Sequence, residues 1–434
     1  MQTNTSLANE VFVFYNKPKL LISILMSIIN KISKNFIIYG AGQAFNLLSP
    51  LLIAPYVISI CGIANFGKTG LAFGLSLFLI LIVDYAFDIN GTKLVSENRE
   101  DIKVIQNKLI TIIYTKIVLV GISFLILIFL LYSIPLFRNE KTLFLFSFSI
   151  VIAQVFNPQW FLQGLENFKI SSLINIFSKI IYVILVFYLV KSKDDYNYVN
   201  FYLGLSSILI NVIGILVIQN RFKFSIQKPN LLEIKTILKT DFFFCISQLF
   251  LSLRQLFPLF VVSFLLGFSV AGQYKIVEQI ISLFRTFNQV YLKYFFPRLC
   301  YKITQSKTQA LLFWKKYVVV LIFLVLFLCV FLFVFSTHVI AFFNVSNIIT
   351  SLFRLSLILP LLMVFSLALE QTMFTNDNNK NYIKITIFVT LVNIIALLIL
   401  APIFKLKGVI ISIVIAELLF IFLYYKKSIV LKKE

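Results

Sequence analysis

Four ionisable side chains, Lys179, Arg254, Arg285 and Glu417, stand in the middle of stretches that are otherwise apolar. If those stretches cross a bilayer, each charge costs about 2.5 to 3.5 kcal/mol even on lenient insertion scales, so each should face a cavity or a partner. Asp84, Asp88, Lys293 and Glu370 lie nearer the ends of similar stretches, with Lys116 and Glu278 at intermediate depth. Polar neighbours accompany them at helical spacing. Glu278, Ser282, Arg285 and Gln289 step by four, three and four, and Ser171, Asn175, Ser178, Lys179 and Tyr182 make a second stripe. Gln248, Ser252 and Gln255 flank Arg254, while Tyr39, Gln43 and Asn46 form another. Stripes of this kind turn one face of each helix toward water inside a bundle. The deepest charges are mostly basic, which suits an anionic cargo better than a cationic one. Internal pairing, for example Arg285 with Glu278 or Lys179 with Glu417, is the competing use. Asp84 and Asp88 are read either as a solvated end or as coupling groups, and Asp194 with Asp195 as solvated loop residues.

Catalysis is not indicated. Outside the apolar stretches there are no paired carboxylates, no nucleophile with its base, no Gly-rich phosphate loop and no metal cluster. Cys61, Cys245, Cys300 and Cys329 lack CxxC spacing, so neither a metal site nor a disulfide framework is expected, and no cofactor is called for. His338 is the single histidine.

The elements that must hold these residues follow from composition. Of 434 residues 60% are hydrophobic and 13% charged, where a soluble domain carries about a quarter charged. A bilayer core of ~30 Å needs about 20 apolar residues per helix. Windows of that size place spans at 35–60, 70–91, 109–134, 142–163, 170–190 and 199–218, then 240–266, 274–296, 314–337, 351–374, 383–403 and 408–425. Leu21, Ile24, Leu25, Ile28 and Ile32 have helical spacing in a segment too short to span, which reads as an interfacial amphipathic helix. The net charge of +22 is distributed between apolar runs and not gathered on one module, which speaks against nucleic acid. Lys and Arg concentrate in the loops after spans 2, 6 and 8 and in the tail, so both termini are expected in the cytoplasm.

An offset of 205 residues superposes Gln43 on Gln248, Phe45 on Phe250, Gly62 on Gly267 and Gly67 on Gly272. The expected architecture is therefore an all-α integral membrane protein of about twelve transmembrane helices, in two six-helix lobes around a central cavity. Its parts are an interfacial segment at 1–34, an N-lobe at 35–219, a linker at 220–239, a C-lobe at 240–425 and a basic tail at 426–434. Six spans per half make this a parallel repeat about an axis along the membrane normal. Pro258 removes the bond to the Arg254 carbonyl and is expected to kink the seventh span at its own charge, with Pro50, Pro55 and Pro360 bending others.

At this point three stretches carry a resemblance. NFIIYGAGQAFNLLSPLLIAPYVISICGIANFGK, from Asn35 to Lys68, resembles the opening helix and turn of the Wzx-type polysaccharide flippases, within the superfamily that also holds multidrug extruders. PQWFLQGLENFK, Pro158 to Lys169, is similar to that family's pattern at the end of span 4, and LGFSVAGQYKIVEQI to its turn into span 8. Gln273 and Val277 stand where smaller residues are usual. The resemblance implies a flippase that carries an undecaprenyl-pyrophosphate-linked oligosaccharide, of O-antigen or a related surface polysaccharide, across a bacterial inner membrane by alternating access. Arg254, Arg285, Lys179, Gln43 and Gln248 are then the candidate substrate residues, and Glu278, Glu370, Glu417, Asp84 and Asp88 the candidate coupling residues. Beyond the lipid-linked cargo and the membrane, a polysaccharide polymerase and a chain-length regulator are the implied partners. A small-molecule exporter on the same fold and a membrane polymerase or ligase are the rivals; the first calls for an acidic cavity, the second for a large ordered outer loop.

Overall fold

The computed structural model describes residues 34–85, 87–223, 231–345, 348–374 and 379–427. The expected interfacial helix before Lys34 and the end of the basic tail lie outside the described residues. Among those described, the structure is helical throughout, as the dense runs of Leu, Ile and Phe dictate: in hydrocarbon only a helix or a closed barrel satisfies its own backbone.

The first half consists of α1 (Lys34–Cys61), α2 (Ile63–Asp84), α3 (Phe87–Glu97), α4 (Ile102–Ser133), α5 (Pro135–Arg138), α6 (Lys141–Ser147), α7 (Ser149–Ala153), α8 (Gln159–Gly164), α9 (Phe168–Leu189) and α10 (Tyr196–Phe222). An amphipathic α11 (Leu231–Thr240) leads into α12 (Phe242–Leu266), α13 (Phe268–Gln305), α14 (Lys307–Val334), α15 (Ser336–Phe342), α16 (Ile348–Ser356), α17 (Ile358–Phe374) and α18 (Asn379–Lys427). Among the described residues eight helices are long and apolar enough to cross a membrane. α18 counts once among them but leaves helical geometry at Lys405 (φ 52°, ψ −135°), which divides it into the expected eleventh and twelfth spans. Shorter apolar segments at Lys141–Ala153 and Ser252–Leu266 fill the places of the fourth and seventh. α13, studded with charge, is the eighth.

Three expected boundaries change. The second span begins at Ile63 and not near residue 70, and it breaks where Tyr85 takes a left-handed φ of 43° before α3 resumes. The fourth is not one helix but α6, α7 and α8, opened around Pro158. The breaks do not fall at Pro50, Pro55 or Pro258, through which α1 and α12 remain helical. Pro360 does mark one: it lies in the first turn of α17, where its missing N–H has no helical partner to lose. Asp195 is also more than solvated, since its carboxylate accepts the N–H groups of Lys191 (2.8 Å) and Ser192 (2.7 Å) and ties the turn before α10.

Within each half the packing partners correspond. α1 lies on α9 as α12 lies on α18, and α2 meets α4 as α13 meets α14. The halves touch chiefly where α2 packs on α13 and α12. That crossing is a backbone contact made by glycine: a Cβ on Gly67 would lie 2.1 Å from the Phe268 carbonyl oxygen, and one on Gly272 would lie 2.2 Å from that of Ile63. Gly62 and Gly267, just before the two helices, share the positive φ (84° and 88°) that only glycine adopts readily. All three pairs, Gly62 with Gly267, Ile63 with Phe268 and Gly67 with Gly272, are 205 residues apart.

Candidate functional site

The α2/α13 crossing closes one end of a space between the halves. Next to it the space is narrow, about 50 Å³, between Phe66, Thr69 and Gly70 on α2 and Lys275 and Gln279 on α13. Deeper, it widens to a cavity of about 280 Å³ walled by α1 (Asn46, Pro50), α2 (Phe73, Leu77), α12 (Gln255, Leu259) and the polar stripe of α13 from Lys275 to Gln289. Glu278, Ser282, Arg285 and Gln289 all line it, as their four-three-four spacing requires.

Pairing sorts the charges. The Arg254 guanidinium donates to Glu417 (3.2 Å) and lies 4.5 Å from the Phe420 ring centroid. The second Glu417 oxygen accepts the Ser366 hydroxyl at 2.5 Å, so this 1%-exposed carboxylate is fully engaged. Glu278 is bound by Lys275, one turn before it on the same helix (2.7 Å). Neither Arg285 with Glu278 nor Lys179 with Glu417, the pairs suggested by the sequence, is formed; nearer cations took both carboxylates. Arg285 has no hydrogen bond or ion pair among the described residues, and its Nε is buried without a partner. Lys179, on α9, likewise has no ion-pair partner among them. The amide oxygen of Gln279 is also buried and unpaired on the cavity wall.

Asp84 belongs to a separate cluster inside the first half. Lys116, wholly buried on α4, donates to it at 2.9 Å, and the Gln154 amide bridges both its oxygens at 2.6 and 2.7 Å. Its cation and amide come from α4 and the end of α7, so this network holds the broken second span in place. Asp88, a turn beyond the break, stays exposed. Gln43 and Gln248 are partly buried and do not line the cavity of Arg285.

Glu370 opens instead on a second space of about 380 Å³ between α13 and α17, bounded by Gln289, Leu292, Lys293, Phe296, Leu367 and Gln371. Gln289 lines both spaces, which makes them neighbours along α13. Sequence reasoning missed Lys275, Gln279 and Gln154. The first two extend the α13 stripe by one turn and were legible from spacing; Gln154 was not, because its role depends on a break in the fourth span.

A family model described as polysaccharide biosynthesis protein matches residues 32–300, which include all three of the resembling stretches. The chain is 22% identical over 397 residues to a protein of Escherichia coli (strain K12) named "Putative O-antigen transporter", covering 90% of this chain and 95% of that one. A Shigella dysenteriae protein of the same name is 22% identical over 249 residues, 56% of this chain and 60% of its own. Among solved structures, the lipid II flippase MurJ in an inward closed conformation superposes with a TM-score of 0.69 at 14% identity, over 90% of this chain and 87% of that one. An inward-facing multidrug transporter of the MATE family gives 0.65 at 16% identity, over 89% and 93%. At these identities the structures establish a shared fold.

Proposed function

Because the chain belongs to the polysaccharide biosynthesis protein family, we propose that it is a flippase for an undecaprenyl-pyrophosphate-linked oligosaccharide, moved from the cytoplasmic to the outer leaflet by alternating access. The observation that carries this reading is Arg285, which makes no hydrogen bond or ion pair among the described residues, in a cavity between two halves of a membrane protein. A buried cation without a partner is costly unless a ligand supplies the counter-charge, and a guanidinium matches a phosphate in bidentate fashion. The relatives named as O-antigen transporters and the likeness in fold to a lipid II flippase support the same class of cargo. Arg285 is the cation on the cavity wall that stands outside every ion pair of the described residues, which does not fit an exporter of cations.

In this reading the Lys/Arg bias puts both termini in the cytoplasm of a bacterial inner membrane. The glycine crossing then lies at the outer side, and the halves rock about the cavity to open it. The diphosphate leaves water for Arg285, while the polyprenyl tail stays in lipid; Lys179 lines neither space between the halves. Arg254 changes role from the sequence expectation: held by Glu417, it stiffens the second half. Glu278 and Glu417, candidate coupling groups, are each occupied by a cation.

The test is transfer in liposomes carrying the lipid-linked oligosaccharide in one leaflet, with its arrival in the other read by a membrane-impermeant sugar-modifying enzyme. Transfer by the native chain that disappears in Arg285→Ala supports the proposal. Transfer unaffected by Arg285→Ala, or none by a folded native protein under an ion gradient, overturns it.

A further inference from the structure

The second cavity has a composition that selects its ligand. Glu370 accepts the Tyr382 hydroxyl on one oxygen (3.2 Å), and its other oxygen accepts no hydrogen bond among the described residues. Lys293 stands on the facing wall, exposed to the space and outside every ion pair of the described residues. Carboxylate and ammonium therefore share one pocket without forming a direct ion pair. An anion would meet the carboxylate of Glu370, and a cation would meet the ammonium of Lys293. A metal ion would also lack ligands, since no group of three His, Cys, Asp or Glu residues gathers among the described residues. What such a pocket accommodates is a neutral molecule rich in donors and acceptors.

The rest of the wall fits a sugar ring. Phe296, Leu292 and Leu367 supply an apolar surface beside the polar groups. Gln371 is fixed as scaffold: its amide donates to the Leu292 carbonyl (2.6 Å) and accepts the Tyr317 hydroxyl (2.7 Å). Among the described residues the amide of Gln289 carries no such bond. The volume, about 380 Å³, falls within the ~300–1,000 Å³ usual for small-molecule sites. Position completes the case. Arg285, Gln289 and Lys293 follow one another at intervals of four along α13, so Lys293 lies ~12 Å down the helix from Arg285 at 1.5 Å per residue. This is the reach of the first rings attached to a diphosphate held at Arg285.

We infer that the space between α13 and α17 is a glycan subsite, in which a neutral sugar donates hydroxyls to Glu370 and Gln289, accepts from Lys293, and rests a face on Phe296. The inference depends on the lipid-linked cargo proposed above and specifies where its sugars are read. Glu370, a candidate coupling group by sequence, becomes a specificity residue.

Two probes separate the claims: undecaprenyl diphosphate, and the same lipid bearing an N-acetylhexosamine disaccharide. Equilibrium binding to the purified full chain in nanodiscs should favour the glycosylated lipid by about tenfold or more, the order supplied by a hydrogen bond to a charged group. Glu370→Gln and Phe296→Ala should each lower affinity for the glycosylated lipid toward that of the bare one. Their unchanged affinity for bare undecaprenyl diphosphate certifies folding. Arg285→Ala should weaken both probes. Equal binding of the two probes by the native chain overturns the subsite while leaving the diphosphate site standing, as do variants that keep the sugar increment. Failure of both probes to bind removes the cargo proposal and the subsite with it.

Discussion

Arg254 and Arg285 are both arginines within apolar runs, and they differ in their partners: Arg254 is bound to Glu417, and Arg285 makes no ion pair among the described residues. Truncating Arg254 removes the ion-pair partner of Glu417, whose remaining hydrogen bond comes from the Ser366 hydroxyl. Arg254→Ala should therefore cost about 3 to 5 kcal/mol of stability, the usual penalty for a buried charge that loses its partner, and lower the apparent melting temperature in detergent. Replacing both members, as in Arg254→Met with Glu417→Leu, should restore most of that loss. Arg285→Ala removes a charge that makes no hydrogen bond or ion pair among the described residues, so thermal stability should hold or rise while transport is lost. A falling melting temperature in Arg285→Ala would show that the guanidinium has a structural partner. The sequence made both residues visible as charges too costly to be idle, and it placed Glu278, Ser282, Arg285 and Gln289 on one face correctly. It could not say which cation meets Glu417, because Arg254 lies 163 residues away and on another helix. Only packing decides that.

At the scale of the helix, the broken second span and the glycine crossing are the parts most open to test. Asp84, Lys116 and Gln154 bind three helices around the turn at Tyr85, whose hydroxyl donates to the Leu238 carbonyl of α11 (2.7 Å). Lys116→Ala should leave the partly buried Asp84 with the amide alone and destabilise the first half by about 1 to 3 kcal/mol, read as earlier thermal unfolding or faster proteolysis. α11 is further fastened where Glu233 takes Lys108, Asn107 and Thr111 from α4. The twelve-span count and the repeat were readable because they rest on hydropathy and on glycines at a fixed offset. The division of the fourth span was not, since α6, α7 and α8 join into one apolar window. Its end is fixed by shape: Gly91 lies against the Trp160 ring and Gly164 against Val95, so the Pro158–Lys169 run is a packing surface between α8 and α3. For the crossing itself, Gly272→Val must displace α2, because a side chain there meets the Ile63 carbonyl. A cysteine placed at Phe73 in a cysteine-free background should then react several-fold faster with an impermeant maleimide added from the outer side. An unchanged rate would mean that the seal lies elsewhere.

Taken as a whole, the molecule is two similar halves around a polar space that neither half encloses alone. Arg285 lines a wall of the second half, while Asn46, Pro50 and Phe73 of the first complete the cavity. The crossing that joins the halves has the logic of a two-fold homodimer: residue 67 meets 268 and residue 272 meets 63, each the other's counterpart. An interface in which the same patch serves both partners is self-complementary and does not depend on the peptide that links them. The covalent connection between Lys223 and Leu231 should accordingly be dispensable. Two polypeptides divided there and made in the same cell ought to find each other in the membrane and copurify, whereas Gly67→Val in one of them should abolish the pairing.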